Sequence, residues 1–284
     1  MKQHTIALIC DCDSTLAPDT THFLLQENNI DIKAFWEEIG KLVKDGWDPP
    51  LAWMTKIIQL MEEKIIKQNT NQKLHELGKK IKTYEGVSEF ISEIRTKISE
   101  NDDFVEAGIK LKCFIVSQGI EDLIKGCPAF SNFEVFAARF VEDSSTGKIN
   151  SIKSIVTFTE KTKFLFAINK GISSTELRTS PYLVNNFISP EERKVPFEHM
   201  IYLGDSPNDI PCFSMVQKMN GISVGVTGEK TFHKGFELAK GKRTTVGPYS
   251  TNYAKGSELR KVLDAAIHKL AKDIVSKERL AGRL

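Results

Sequence analysis

The chain is short of several things. Across 284 residues it has five cysteines, at positions 10, 12, 113, 127 and 212, and no C-x-x-C pair. That spacing offers neither a disulfide framework nor a zinc knuckle, so buried thiols in a reducing cytoplasm are the expected state. Net charge is equally scarce, with 39 Lys and Arg against 37 Asp and Glu for a formal +2. Such a balance gives no footing for nucleic acid or for an anionic membrane surface. No apolar run approaches the ~20 residues that cross a bilayer. The opening residues, Met1 to His4, lead straight into an apolar stretch and leave no room for a signal peptide. Internal repeats and low-complexity tracts are missing as well. What is present is an ordinary globular composition, 40% hydrophobic and 27% charged. The length suits one large core with a smaller inserted unit.

Residues 5–16 read T-I-A-L-I-C-D-C-D-S-T-L. The apolar run 6–10 is short, continuous and ended by a turn signal, the pattern of a buried strand in a parallel sheet. Asp11 and Asp13 would then stand at that strand's carboxyl end, where open α/β sheets bind their ligands. Two carboxylates so close repel one another unless a cation or a shared proton compensates them. Hard oxygen donors suit Mg²⁺, leaving one carboxylate to attack or to carry protons. An Asp-rich turn capping the next helix would read the same way.

After Leu16 the periodicity changes to that of helices. Residues 21–28, 32–43, 51–67 and 72–82 read as helical, with Phe35, Trp36, Ile39, Leu42 and Val43 as one apolar stripe. Asp45-Gly46-Trp47-Asp48-Pro49-Pro50 reads as a loop. All three tryptophans, 36, 47 and 53, fall in this segment, as packing of a small bundle or as the lining of a pocket. Residues 16–83 are therefore read as an inserted all-helical cap. The core is assigned to 1–15 and 84–284, an α/β fold with a Rossmann-like parallel sheet sandwiched by helices.

Within that core, a helix is expected over 87–98 and a strand over 108–116, ending in Ser117-Gln118-Gly119 before a helix at 120–125. A hydroxyl and a glycine there suit an anion cradle, although they are also common turn residues. Residues 133–141 and the turn at 143–148 predict a β-hairpin. Thr159 is placed to cap a helix with Lys161 in its first turn, where the dipole disfavours a cation. That lysine either reaches an anion or is simply solvated. Residues 171–198 look loop-like and polar. A strand at 200–203 ends in Gly204-Asp205-Ser206-Pro207-Asn208-Asp209, a second pair of carboxylates at a second strand end. A helix at 210–219, a strand at 222–226, a solvated basic turn at 240–243 and an amphipathic helix at 257–278 complete the chain.

In order, a strand ending in D-x-D-x-T, a strand ending in Ser, a helix-start lysine and a strand ending in G-D-S-x-N-D resemble the haloacid-dehalogenase-like phosphohydrolases. The resemblance is to the phosphoserine-phosphatase-like branch with a helical cap, over roughly residues 5–226. It implies a Mg²⁺-dependent phosphatase acting on a small phosphorylated metabolite. By that resemblance Asp11 is the nucleophile, Asp13 the general acid and base, and Thr15 a positioning residue. Ser117, Gln118, Lys161 and Asn208 lie on the phosphate side. Asp11, Asp205 and the main-chain carbonyl of Asp13 hold the metal, with Asp209 supporting metal and lysine. Lys163 is the alternative to Lys161, which fits better because apolar residues follow it at the spacing of the family helix. The glutamate and cap arginine that grip phosphoserine have no match here. Residues 17–22 lack a glutamate, Lys56 stands in the comparable cap helix, and Ser117-Gln118-Gly119 replaces Ser-Gly-Gly. A phosphomonoester other than phosphoserine is the expectation, with Asp19, His22, Trp47, Trp53 and Lys56 as candidates for selectivity. Competing readings are a receiver-type phospho-acceptor, a phosphotransferase or phosphonate-cleaving enzyme, and a non-catalytic phospho-ligand binder.

Overall fold

The computed structural model describes residues 3–228, 237, 238 and 240–284, so Met1 and Lys2 of the expected lead-in lie outside it. Seven strands build one sheet: β1 (Thr5–Cys10), β2 (Lys110–Ile120), β3 (Phe133–Glu142), β4 (Ile149–Ser154), β5 (Met200–Gly204), β6 (Ile222–Thr227) and β7 (Val246–Ser250). Their order is β4-β3-β2-β1-β5-β6-β7. β1 is central and runs parallel to both neighbours, β2 and β5. β4 returns antiparallel on β3 as the expected hairpin.

Helices cover both faces of the sheet. One apolar layer joins Ile6, Leu8 and Cys10 of β1 to α5 (Val87–Ser99) and to the final helix, Glu258–Leu280. The other joins Ala7 and Ile9 to α8 (Glu160–Lys170) and α10 (Ile210–Lys218). Successive residues of a strand face opposite sides, so a strand covered on both must be apolar at every position. This is why the run 6–10 carries no polar residue. All five cysteines are buried and unpaired, Cys10 and Cys12 among them.

Between β1 and α5 the chain forms α1 (Thr20–Glu27), α2 (Ile32–Lys44), α3 (Pro49–Glu62) and α4 (Asn71–Gly78). Each begins at an Asp or Thr whose side chain accepts a backbone N–H of the first turn: Asp19, Asp31, Asp48 and Thr70. Pro49 and Pro50 open α3 instead of lying in a loop, since a proline in the first turn forfeits no helical hydrogen bond. The helix stops at Glu62, short of the expected 67, and Lys64 takes a left-handed conformation. Leu24, Phe35, Trp53 and Ile57 share an apolar cluster with Ile120 and Leu123 and with Phe140 and Ile149 of the hairpin. The helical segment is therefore seated on the carboxyl end of β2 and on the β3–β4 edge.

Three elements were not read from the pattern. α6 (Asp102–Glu106) is a single short turn, and β7 carries Gly247-Pro248, which argues against a strand. At the sheet edge β7 pairs only with β6, so a proline is tolerated. Within 171–198, α9 (Ser173-capped, Ser174–Thr179) is closed by a reciprocal Ser173–Glu176 capping box. Leu177, Val195 and Phe197 are buried, so this stretch packs on the core. α7 (Glu121–Gly126) follows β2 as expected. Residues 240–243 are exposed, as a solvated turn would be.

The final helix, α11 (Glu258–Leu280), is tied down near its end by Glu278, which bonds to Arg283 at 2.7 Å and lies 3.4 Å from His4. The Arg283 hydrogen bond, working against burial, holds the Glu278 carboxyl at about 2, below its ordinary 4.5. A carboxyl depressed in the fold stabilises above its unfolded value and loses that contribution as pH falls toward its folded one. Glu278→Gln is expected to lower Tm at pH 7, and the gap to the parent should close between about 4.5 and 2. Thermal melts across that range check it, and a pH-independent gap would contradict the assignment.

Candidate active site

Asp11 follows directly on β1 and is anchored by its own N–H to Leu203 O of β5 at 2.9 Å. Its Oδ1 accepts the Cys12 N–H at 2.8 Å, and its Oδ2 faces Lys161 Nζ at 2.9 Å. Lys161, on the first turn of α8, is fully buried and reaches Asp209 Oδ1 at 2.8 Å. The same Asp209 oxygen accepts the Tyr202 hydroxyl at 2.8 Å, and its Oδ2 accepts the Ser206 N–H at 3.3 Å. Gly204 lets this happen: a Cβ there would lie 2.4 Å from Asp209 Cγ. Three chain segments thus meet at the carboxyl edge of the sheet.

Asp13 turns toward α1, where its Oδ1 accepts the Thr20 N–H at 2.7 Å. Gly119 permits that approach, because a Cβ would meet Asp13 Oδ2 at 3.0 Å. Ser14, between Asp13 and Thr15, takes a left-handed φ of 59°, which bends the chain after the two aspartates. Asn208 Nδ2 donates to Gln118 Oε1 at 3.1 Å, linking the β5 and β2 loops.

A cleft of about 170 Å³ opens over these groups. It is lined by Asp11, Asp13, Asp205, Gln118 and Asn208 from the core, and by Asp19, Thr21, Trp36 and Trp53 from the helical segment. That is small beside the about 300–1,000 Å³ of drug-sized sites.

Several sequence candidates do not line the cleft. Ser117 is fully buried behind Gln118 and Gly119, its Oγ accepting the Gly119 N–H at 3.0 Å. It lies inside β2, which continues through an irregularity to Ile120 instead of turning at 117. Thr15 is also buried and off the lining; its carbonyl accepts the Tyr253 hydroxyl at 2.8 Å, which fixes the motif loop from below. Trp47 is exposed and does not line the cleft. Lys56 also stands off it, paired to Glu38 at 2.7 Å. His22 lies behind the wall, its Nε2 accepting the Trp36 N–H at 2.7 Å. Lys163 pairs with Glu160, covers the Phe164 ring and does not line the cleft. Lys56→Ala is expected to change kcat/KM by less than about twofold, since its ammonium is paired to Glu38 and does not line the cleft. Steady-state rates check this, and a tenfold loss would return Lys56 to the cleft.

Tyr202 and Ser206 carry no signal of their own in the sequence, and Trp36, one of three tryptophans that could line a pocket, is not singled out by it. Trp36 sits one position past Phe35 in the apolar stripe, where a helix turns it off the buried face. Tyr202 reads as a core residue of β5, and only its hydroxyl betrays the partner seven residues on.

The electrostatics are those of an excess of negative charge. Burial pushes the Asp11 carboxyl up to about 7; Lys161 pulls it down, and Asp209 and Asp13 push it further up. Burial, then the charge of Asp19, raises Asp13 to about 6 against the Thr20 hydrogen bonds. Burial disfavours the Lys161 ammonium, but Asp11 and Asp209 outweigh it and hold the group protonated well above its ordinary range. Carboxylate oxygens of Asp11, Asp205 and Asp209 lie within 4.8 Å of one another, with Lys161 the cation bonded among them. Hard anionic oxygens in surplus fit a divalent cation of the Mg²⁺ kind. Asp209 is already occupied by Lys161, Tyr202 and Ser206, and the Asp13 side chain is outside this group, so Asp11 and Asp205 offer the better side-chain ligands.

No family model matches the sequence. An uncharacterized protein of Borreliella burgdorferi is 26% identical over 291 residues, covering 91% of this chain and 95% of that one. Two solved structures are similar in fold. A probable phosphoserine phosphatase from Vibrio cholerae superposes with a TM-score of 0.54 at 11% identity, over 95% of this chain and 67% of that one. A HAD family hydrolase from Salmonella enterica serovar Typhi gives a TM-score of 0.51 at 14% identity, over 80% of this chain; the match spans 63% of the Salmonella protein. The fold is thus that of the haloacid-dehalogenase-like hydrolases. The fold is phosphoserine-phosphatase-like, a mostly parallel sheet with its helical insertion after β1. No helix among the described residues is long and apolar enough to cross a membrane.

Proposed function

We propose that the protein is a Mg²⁺-dependent phosphatase that hydrolyses a small phosphomonoester through an aspartyl-phosphate on Asp11. One observation carries the reading: a fully buried lysine bridges Asp11 and Asp209 where the central strand ends. Aligning Asp11 in this way while holding a positive charge beside it suits nucleophilic attack on a phosphate dianion.

In the first step an Asp11 carboxylate oxygen bonds to phosphorus as the bond from phosphorus to the ester oxygen breaks. Asp13 gives its proton to the departing alcohol oxygen; a carboxyl raised to about 6 is poised for that task near neutral pH. In the second step Asp13 takes a proton from water, whose oxygen bonds to phosphorus as the bond to Asp11 breaks. Inorganic phosphate leaves and Asp13 is again protonated. Lys161 offsets charge on the transferring phosphoryl group, and Asp209, held by Tyr202 and Ser206, keeps that lysine in place. Asp11, Asp205 and the Asp13 carbonyl would hold Mg²⁺, which supplies positive charge for the phosphoryl oxygens. Gln118 and Asn208, which line the cleft, would contact the phosphate, while Ser117 and Thr15, both buried, would hold the loops that carry Gln118 and Asp13. Residues 16–83 act as a cap over the core formed by 1–15 and 84–284, excluding water during transfer.

Phosphate release from a panel of small phosphomonoesters tests this. Turnover is expected with Mg²⁺, lost in EDTA and restored by adding the ion back. A stable acyl-phosphate without turnover, or no release at all, would overturn the proposal.

A further inference from the structure

The helical segment finishes the cleft with one acid, one hydroxyl and two indoles: Asp19, Thr21, Trp36 and Trp53. Among the described residues, no Lys, Arg or His lines it. Lys161 lies fully buried against Asp11 and Asp209, at the phosphate end. Asp19 is held in place, since its Oδ1 accepts the His22 N–H at 2.8 Å as the cap of α1. Trp36 is fixed too, with Phe35 meeting it edge-on at 5.2 Å. An indole has one N–H and no acceptor. Trp36 spends that N–H on His22 at 2.7 Å, so it offers the cleft only apolar and π surface.

Each ligand chemistry meets this wall differently. A carboxylate head would face the charge of Asp19 with no cation in the described lining to offset it, a repulsion that a neutral donor such as the Thr21 hydroxyl does not cancel. A neutral head would gain contact area and, from the Thr21 hydroxyl, no more than a neutral hydrogen bond. A cationic head gains twice, from the carboxylate and from the negative faces of the rings.

We infer that the substrate is the phosphate ester of an amino alcohol, its ammonium head taken by Asp19 together with the indoles of Trp36 and Trp53. This rests on the phosphatase reading above and extends it to the leaving group.

The test compares 2-(trimethylammonio)ethyl phosphate with 3,3-dimethylbutyl phosphate, of the same shape without the charge, and with carboxymethyl phosphate. The cationic ester is expected to exceed the neutral one in kcat/KM by about tenfold or more, and the carboxylate ester to be poorest. Asp19→Asn keeps the helix cap, because Asn caps as well as Asp, and should erase most of that preference. Binding is read separately, from quenching of tryptophan fluorescence in the Asp11→Asn variant. There the cationic ester should saturate at a lower concentration than its neutral isostere. A protein that binds the cationic ester best yet hydrolyses none of the three keeps this inference and overturns the phosphatase reading. One that binds and hydrolyses charged and neutral esters alike overturns this inference and keeps the phosphatase.

Discussion

Asp11→Asn is expected to reduce phosphate release by about four orders of magnitude or more while leaving the fold intact. An amide is isosteric with the carboxylate but has no anionic oxygen to give to phosphorus. The Asp11 Oδ1 contact with the Cys12 N–H survives in the variant, since the amide oxygen still accepts it. The charge-assisted contact with Lys161 weakens, but that lysine retains Asp209. Stability should therefore change far less than rate. Rates on protein purified free of contaminating phosphatase, beside a thermal melt, separate the two. Near-normal turnover would remove Asp11 from the mechanism.

Lys161→Ala is expected to damage both. The wild-type ammonium lies between two carboxylates that are themselves buried. Removing one partner of a buried ion pair leaves uncompensated charge, at roughly 3–5 kcal/mol. For a chain of this size each kcal/mol shifts Tm by about 2–4 °C, so a fall on the order of 10 °C is expected. Loss of the positive charge beside the transferring phosphoryl group should lower kcat by about a hundred- to a thousandfold. Lys163→Ala is the control. Its amine pairs with Glu160 on the same turn of α8, half exposed, and its loss should shift Tm by no more than about 1–2 °C. Equal effects in the two variants would contradict the assignment of Lys161.

How much of this was legible in the sequence depended on distance along the chain. The central strand and its two aspartates are a local signal, because an apolar run stopped by D-x-D constrains both fold and chemistry. Gly204, Asp205 and Asp209 gave a second such signal, and the misplaced charge of Lys161 at a helix start a third. That these meet is a tertiary fact, made by β1 lying between β2 and β5. The cap wall was harder to read. Trp36, Trp47 and Trp53 are alike in the sequence, yet two line the cleft and the third faces solvent. The choice depends on how α2 and α3 turn when they seat on the β3–β4 edge, which no local pattern records. Lys56 went astray for the same reason, since Glu38 on the neighbouring helix captures it. β7 was hidden by a glycine and a proline that only an edge position tolerates.

The central claim is a covalent bond between phosphorus and Asp11. Rapid acid quench during turnover of a hydrolysed ester, followed by peptide mapping by mass spectrometry, reads it directly. The account predicts one phosphoryl group on the peptide carrying Asp11, absent from the Asp11→Asn protein and enriched when Asp13→Asn slows its hydrolysis. A phosphoryl group on another residue, or none in either protein when the ester is an aryl phosphate whose leaving group needs no proton from Asp13, would contradict it.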